Sequence, residues 1–103
     1  MTNPPGAVKV TAVQLRQLFN QGQYYQRLLD GELRGYMKRD GHPANPIANE
    51  PVCTHSQLVV YYESAGGEIA RVHQYVRSDG TLGLSGRPDP KRLLVNGVIY
   101  WTP

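Results

Sequence analysis

The sequence lacks the features that mark several classes of protein. It has one cysteine, Cys53, so no disulfide can form within the chain. Its apolar runs are short, such as Leu58–Val60 and Val98–Trp101, whereas a helix that crosses a bilayer needs about 20 apolar residues. The chain does not open on a hydrophobic stretch of signal-peptide length. We therefore expect a cytoplasmic protein with no membrane partner.

Size and charge limit the function further without naming it. A chain of 103 residues supports one domain with a modest core. Residues 1–7 contain two prolines and a glycine without a periodic pattern, which predicts a flexible arm and leaves 8–103 as the domain. The net charge of +3 is compatible with a polyanionic partner such as nucleic acid but does not require one.

Two helices are predicted in the first third of the chain. Thr11 and Gln14 have the spacing of a capping box, and Gly22 is a suitable stop for the helix that they begin. Helical spacing of apolar residues predicts a second helix at 23–30. Residues 32–38 either continue this helix or become extended, because glycines interrupt the pattern.

The second half of the chain has the pattern of an antiparallel sheet. Residues 40–51 contain three prolines and a glycine, which predict a loop with no regular element. Period-two alternation then predicts strands at Gln57–Glu63 and Glu68–Arg77, joined as a hairpin. A second hairpin is predicted around Asn96-Gly97, between strands at Leu93–Val95 and Val98–Trp101.

This order of elements predicts an α+β fold. One or two N-terminal helices would pack on one face of a three- or four-stranded antiparallel sheet. The strand at 68–77 would turn Ala70, Val72, Gln74 and Val76 towards the core.

The other face of that strand carries the first candidate site. Ile69, Arg71, His73, Tyr75 and Arg77 occupy alternate positions, and the four polar side chains would lie in one row. Such a row is ordinary on the wet side of an antiparallel sheet. It is also suited to anion binding, since guanidinium matches phosphate and tyrosine can stack on a base.

A glycine-rich loop with three cations follows this strand. Successive backbone N–H groups around Gly80, Gly83 and Gly86 can hold an anion, although turns are the commoner use of glycine. The spacing is neither that of a P-loop nor that of a dinucleotide fingerprint. The remaining candidate anion ligands are Arg87, Lys91 and Arg92.

The segment HQYVRSDGTLGLSGRPDPKRLLVNGVIY at 73–100 also carries a resemblance. Its pattern HQY-x-R-x-DGT-x-G-x-SG-x-PDPK is similar to that of small bacterial proteins with no assigned activity. The likeness covers roughly the last third of the chain. It implies a bacterial source and transfers no catalytic or binding residue.

The chain contains the residue types of a metal or thiol site but not the spacing that is usual for one. The chain has a thiol at Cys53 and imidazoles at His42, His55 and His73, which are zinc ligands by type. The paired short spacings of zinc sites are missing, so no metal and no cofactor are expected. Cys53 is instead expected to be a small buried residue at the start of a strand.

Three functions remain open at this stage. The first is a binding module that contacts nucleic acid or another anionic partner through the basic row and the loop. The second is a metal-independent ribonuclease of the toxin type, with His73 as acid or base, Arg71 and Arg77 stabilising charge, and Tyr75 holding the base. The third is a protein–protein adaptor or homodimer that uses a sheet edge. Whether the protein is an enzyme is left open.

Overall fold

A computed structural model describes residues 4–43 and 50–103 of the chain. Part of the predicted arm, residues 1–3, lies outside this range. The elements in chain order are β1 Val8–Lys9, α1 Ala12–Gln21, α2 Tyr24–Leu29, β2 Leu33–Pro43, β3 His55–Glu63, β4 Glu68–Val76, β5 Asp89–Val95 and β6 Val98–Trp101.

The strands form one sheet in the order β1-β6-β5-β4-β3-β2. Every neighbouring pair is antiparallel except β1 and β6, which are parallel. The predicted α+β class is confirmed. The predicted size was wrong, because the sheet has six strands and is mixed. The two missed strands are β1, which is too short to show a pattern, and β2, whose sequence is interrupted by glycine.

Helix α1 forms for the reasons that its sequence indicates. The Gln14 N–H donates to Thr11 Oγ1 at 3.1 Å, and the Thr11 N–H donates to Gln14 Oε1 at 3.0 Å, which confirms the capping box. The helix ends at Gly22, whose N–H donates to the Leu18 carbonyl at 3.0 Å. Within the described ranges, neither helix has the length and apolar character needed to cross a membrane.

Strand β2 occupies a region where the sequence left helix and strand open. It extends from Leu33 to Pro43, so the prediction that no regular element survives after residue 40 was wrong for 40–43. Register shifts between 37 and 39 and between 40 and 42 absorb the irregular residues, and Gly41 takes a φ of 144°. Pro43 is tolerated because β2 is an edge strand. The rest of the predicted loop, at 44–49, lies outside the described residues.

Strand β5 also begins earlier than predicted, at Asp89 instead of Leu93. Pro90 lies opposite Val72 and Arg92 lies opposite Arg71, so Lys91 is the extra residue of a β-bulge. Pro90 fits here because β6 pairs with β5 only from Arg92 onwards, so the missing N–H interrupts no ladder on that side.

The core lies between the two helices and one face of the sheet. The ring of Phe19 stacks on that of Tyr24, with centroids 5.6 Å apart, and meets that of Tyr61 at 6.2 Å. Ala70 and Val72 of β4 face this cluster, as predicted, while Gln74 and Val76 are half-buried. Ile69 was predicted on the other face but belongs to the core cluster, because the pairing of β3 and β4 shifts register at Tyr61 and Tyr62. The fully packed members are Leu15, Phe19, Tyr24, Leu33, Val59, Tyr61, Ile69, Ala70, Val72 and Leu93.

The hydroxyl of Tyr61 gives a first testable expectation. This side chain is 0 % exposed, and its hydroxyl has no hydrogen-bond partner among the described residues. Burial raises the pKa of the phenol above its ordinary value. Because an unsatisfied buried hydroxyl costs stability, Tyr61→Phe is expected to raise the free energy of unfolding by about 1 kcal/mol, measured by urea denaturation.

Tyr24 provides the matched control for this substitution. Its hydroxyl donates to the Leu94 carbonyl at 3.2 Å, so Tyr24→Phe removes a hydrogen bond that is made. This second variant is expected to lose about 1 kcal/mol. Equal losses in both variants would contradict the assignment of an unsatisfied hydroxyl at Tyr61.

Candidate functional site

The side of the sheet opposite the helices is covered by no other element of the described chain. Cross-strand register places Val60, Leu58 and Ser56 of β3 opposite the outward residues of β4. We call this surface the helix-free face. Its aromatic and cationic residues include Lys9, Arg34, Tyr36, Arg39, Tyr62, Arg71, His73, Tyr75, Lys91, Arg92 and Trp101.

The predicted row on β4 lies on this face as far as the strand extends. Arg71 is opposite Val60, His73 opposite Leu58, and Tyr75 opposite Ser56. All three are half-buried, and the rings of His73 and Tyr75 meet edge to face with centroids 4.9 Å apart. The imidazole is therefore neither enclosed by the core nor fully solvated.

Two guanidinium groups of the predicted anion site are bound to carboxylates. Arg71 donates from Nε and Nη2 to both oxygens of Glu68, at 2.6 and 2.8 Å. Arg77, just beyond β4, donates in the same way to Glu50 at 3.0 and 3.3 Å. These hydrogen bonds raise the pKa of both arginines. Their charge is compensated within the fold, which the sequence did not indicate.

Glu50 holds the glycine-rich loop in place. Its side chain is 5 % exposed and also accepts a hydrogen bond from the Leu84 N–H. A Cβ at Gly83 would lie 2.6 Å from Glu50 Oε1, so the carboxylate can sit there only because residue 83 is glycine. The hydrogen bonds from Arg77 and Leu84 lower the pKa of Glu50. The Leu84 N–H is therefore bound to a carboxylate and the Gly83 N–H to the Tyr75 carbonyl, so neither is available to a nest for an anion.

A depression of about 280 Å³ lies on the helix-free face between β2 and β5. Arg39, His73 and Lys91 line it together with Ser56 and Leu58, and no described carboxylate does so. The bulge in β5 turns Lys91 to this side. The depression thus brings together one cation from β2 and one from β5.

His73 is held in its neutral form at this depression. Burial lowers the pKa of the imidazole, and the Lys91 cation lowers it further, while Asp89 acts in the opposite direction. The Lys91 ammonium itself is 3.2 Å from Asp89 Oδ2. His73 is therefore a hydrogen-bonding and stacking group at neutral pH and adds no charge.

The predicted anion ligands do not all come together. Lys91 and Arg92 lie on the helix-free face, whereas Arg87 lines a second cavity on the other side of the loop. The sequence missed Arg34 and Arg39, which come from β2. A strand assignment for residues 33–43 would still have put them on opposite faces, because they share a face only through the register shift between Met37 and Arg39.

The candidate metal ligands form no site in the described part of the chain. No group of three or more His, Cys, Asp or Glu side chains is close enough there to hold an ion. The side chain of His42 lies outside the description. Cys53 is exposed, so its predicted burial was wrong, because it occupies a turn before β3 with a φ of 73°.

No protein-family model matches this chain, and no curated protein or solved structure matches it.

Proposed function

We propose that the protein is a small binding module whose helix-free face holds single-stranded nucleic acid. The observation that carries this proposal is the mixture of aromatic rings and cations on a sheet face that no described element covers. Aromatic rings stack on bases of any sequence, and cations beside them contact the phosphates. An open sheet presents both kinds of group at a fixed spacing.

The aromatic groups form two clusters on this face. Tyr36 and Tyr62 meet edge to face at 5.5 Å, and the Arg34 guanidinium lies 5.8 Å from the Tyr36 ring. His73 and Tyr75 form the second cluster on β4. Tyr36 is 54 % exposed and therefore has room for a base to stack on it. Each cluster offers a surface for one or more bases.

The cations suited to phosphate are a different set from the one that the sequence favoured. Arg71 and Arg77 are committed to Glu68 and Glu50. Arg39 is exposed and pairs with no described carboxylate. The four cations that we assign to phosphate contacts are Arg34, Arg39, Lys91 and Arg92, of which Lys91 is shared with Asp89 at 3.2 Å.

The ribonuclease remains a second candidate because His73 is neutral at the depression. A general base must be unprotonated at the working pH, and the lowered pKa of His73 meets that condition. The two arginines that would stabilise the transition state are bound to carboxylates instead. The arrangement therefore favours binding over cleavage.

Pairing of two copies at the sheet edge is less favoured than binding on the face. The long edge strand β2 is interrupted by two register shifts, and Lys38 lies at one of them. Bulges and edge lysines are features that oppose strand addition. A homodimer through this edge would have to tolerate both.

The test is binding of a labelled oligouridylate, measured by fluorescence anisotropy, for the wild type and Arg39→Gln. We expect Arg39→Gln to weaken binding by about threefold to tenfold, because one phosphate contact is lost. Arg27→Gln removes the same charge from α2, away from this face, and is expected to change nothing. Equal loss in both variants would contradict a specific role for the helix-free face.

The same samples decide between binding and cleavage. Intact RNA after incubation with the wild type and with His73→Ala supports the binding module. Cleavage by the wild type that His73→Ala abolishes would replace the module by the ribonuclease.

A further inference from the structure

We infer that the cavity between α1, the end of β4 and the loop at 83–90 is a separate site for a small planar carboxylate. The cavity has a volume of about 350 Å³, within the lower range of small-molecule sites. It is not the depression that carries the proposed nucleic-acid contacts, so this inference goes beyond that function. His73 lines both, and Tyr75, its partner in the stacking cluster, also lines this cavity.

The apolar part of the cavity is flat and preformed. Phe19, 2 % exposed, contributes from α1, and the buried prolines Pro88 and Pro90 contribute from the loop and the start of β5. These side chains have little rotamer freedom to lose when a ligand binds. They are suited to the faces of an aromatic or heteroaromatic ring.

The charged part of the cavity is cationic. Arg16 and Arg87 line it from opposite elements, and Asp89 is the acidic residue beside them. Asp89 is shared, because its Oδ1 is 3.5 Å from Arg16 Nη1 and its Oδ2 is 3.2 Å from Lys91 Nζ. The Arg87 guanidinium contacts no described carboxylate. A ligand carboxylate can therefore accept two hydrogen bonds from it without breaking an existing ion pair.

The loop side of the cavity is held in shape without a ligand. The Gly83 N–H donates to the Tyr75 carbonyl at 2.8 Å, and Glu50 binds the Leu84 N–H. Leu82 forms a β-bridge to Val76 of β4. Because these contacts fix the backbone next to Arg87, the ordering cost of binding is small.

A carboxylate is favoured over a nucleotide for two reasons. The volume suits one ring system with one acidic group. The planar fork of a guanidinium matches a carboxylate with two parallel hydrogen bonds. Asn20 and Gln74 at the cavity can bond a ring heteroatom or hydroxyl.

The test is titration of the ¹⁵N-labelled protein with benzoate, benzamide and inorganic phosphate, followed by amide chemical shifts. We expect saturable shifts with benzoate at 83–87 and at the cavity end of α1. Benzamide and phosphate are expected to bind at least about tenfold more weakly, since each lacks either the charge or the ring. Arg87→Gln is expected to weaken benzoate binding by about tenfold.

Arg39→Gln is the control that separates this site from the helix-free face. It is expected to leave benzoate binding unchanged while it weakens oligouridylate binding. Benzamide binding as tightly as benzoate, phosphate binding more tightly, or Arg87→Gln having no effect would each overturn the inference. Loss of benzoate binding in Arg39→Gln would also overturn it, because the acid would then occupy the nucleic-acid face.

Discussion

Raising the salt concentration from about 50 mM to about 200 mM is expected to weaken oligouridylate binding by roughly 50-fold. Our proposal assigns four cations of the helix-free face to phosphate contacts, Arg34, Arg39, Lys91 and Arg92. Single strands release about 0.7 counterion for each phosphate neutralised, so four contacts give a slope near −2.8 on logarithmic axes. Anisotropy titrations at several salt concentrations measure this slope directly.

Neutralising two of these cations should halve the salt dependence. The double variant Arg39→Gln with Lys91→Gln leaves two contacts, for which we expect a slope of about −1.4. The control is Arg16→Gln with Arg27→Gln, which removes equal charge from the helix side of the protein. A slope that falls equally in both double variants would show long-range attraction in place of phosphate contacts, and a flat response in the wild type would end the electrostatic proposal.

The parts of the fold that the sequence predicted well are those that neighbouring residues determine. The capping box of Thr11 and Gln14 acts within one helical turn. The Asn96-Gly97 turn requires positive φ at both residues, and both have it, at 50° and 79°. The hairpin of β3 and β4 follows from period-two alternation over long strands.

The missed strands depend on contacts that are distant in sequence. Gly35 weakened the sequence pattern of a strand at β2. In the fold this glycine lets the Leu28 side chain of α2 pack against the β2 backbone, since a Cβ there would lie 3.0 Å from a Leu28 methyl. β1 has two residues and exists only because β6 offers it a parallel edge. Neither reason can be read from a local pattern.

The candidate site shows the same division between local and distant causes. The alternation on β4 predicted which residues share a face, and Arg71, His73 and Tyr75 do so. An arginine is available to a ligand only when no carboxylate of the protein binds it, and Arg71 and Arg77 are bound in this way. Glu50 is 27 residues from Arg77, in a segment rich in proline, so no spacing rule connects them. The position of Lys91 depends on a bulge, which period-two reasoning does not include.

One face of the sheet is covered by the helices and the other is not, and this difference requires that α1 packs firmly on the sheet. Substitution of Phe19 tests this packing. Its ring is 2 % exposed and contacts the rings of Tyr24 and Tyr61. Phe19→Ala is expected to lower the free energy of unfolding by about 3–5 kcal/mol, the usual cost of removing a buried phenyl ring. Urea denaturation followed by circular dichroism measures the loss.

Val13 on the same helix is the matched control, since its side chain is 56 % exposed. Val13→Ala is expected to stay within about 0.5 kcal/mol of the wild type. Phe19→Ala can unfold so small a domain, so Phe19→Leu serves as the milder variant. Its expected loss in free energy of unfolding is about 1.5 kcal/mol. It should remain folded and bind oligouridylate as the wild type does, because Phe19 packs on the opposite side of the sheet from Arg39. A loss of only a few tenths of a kcal/mol in Phe19→Ala would mean that α1 does not cover its face of the sheet. The distinction between a helix-covered face and a binding face would then be wrong.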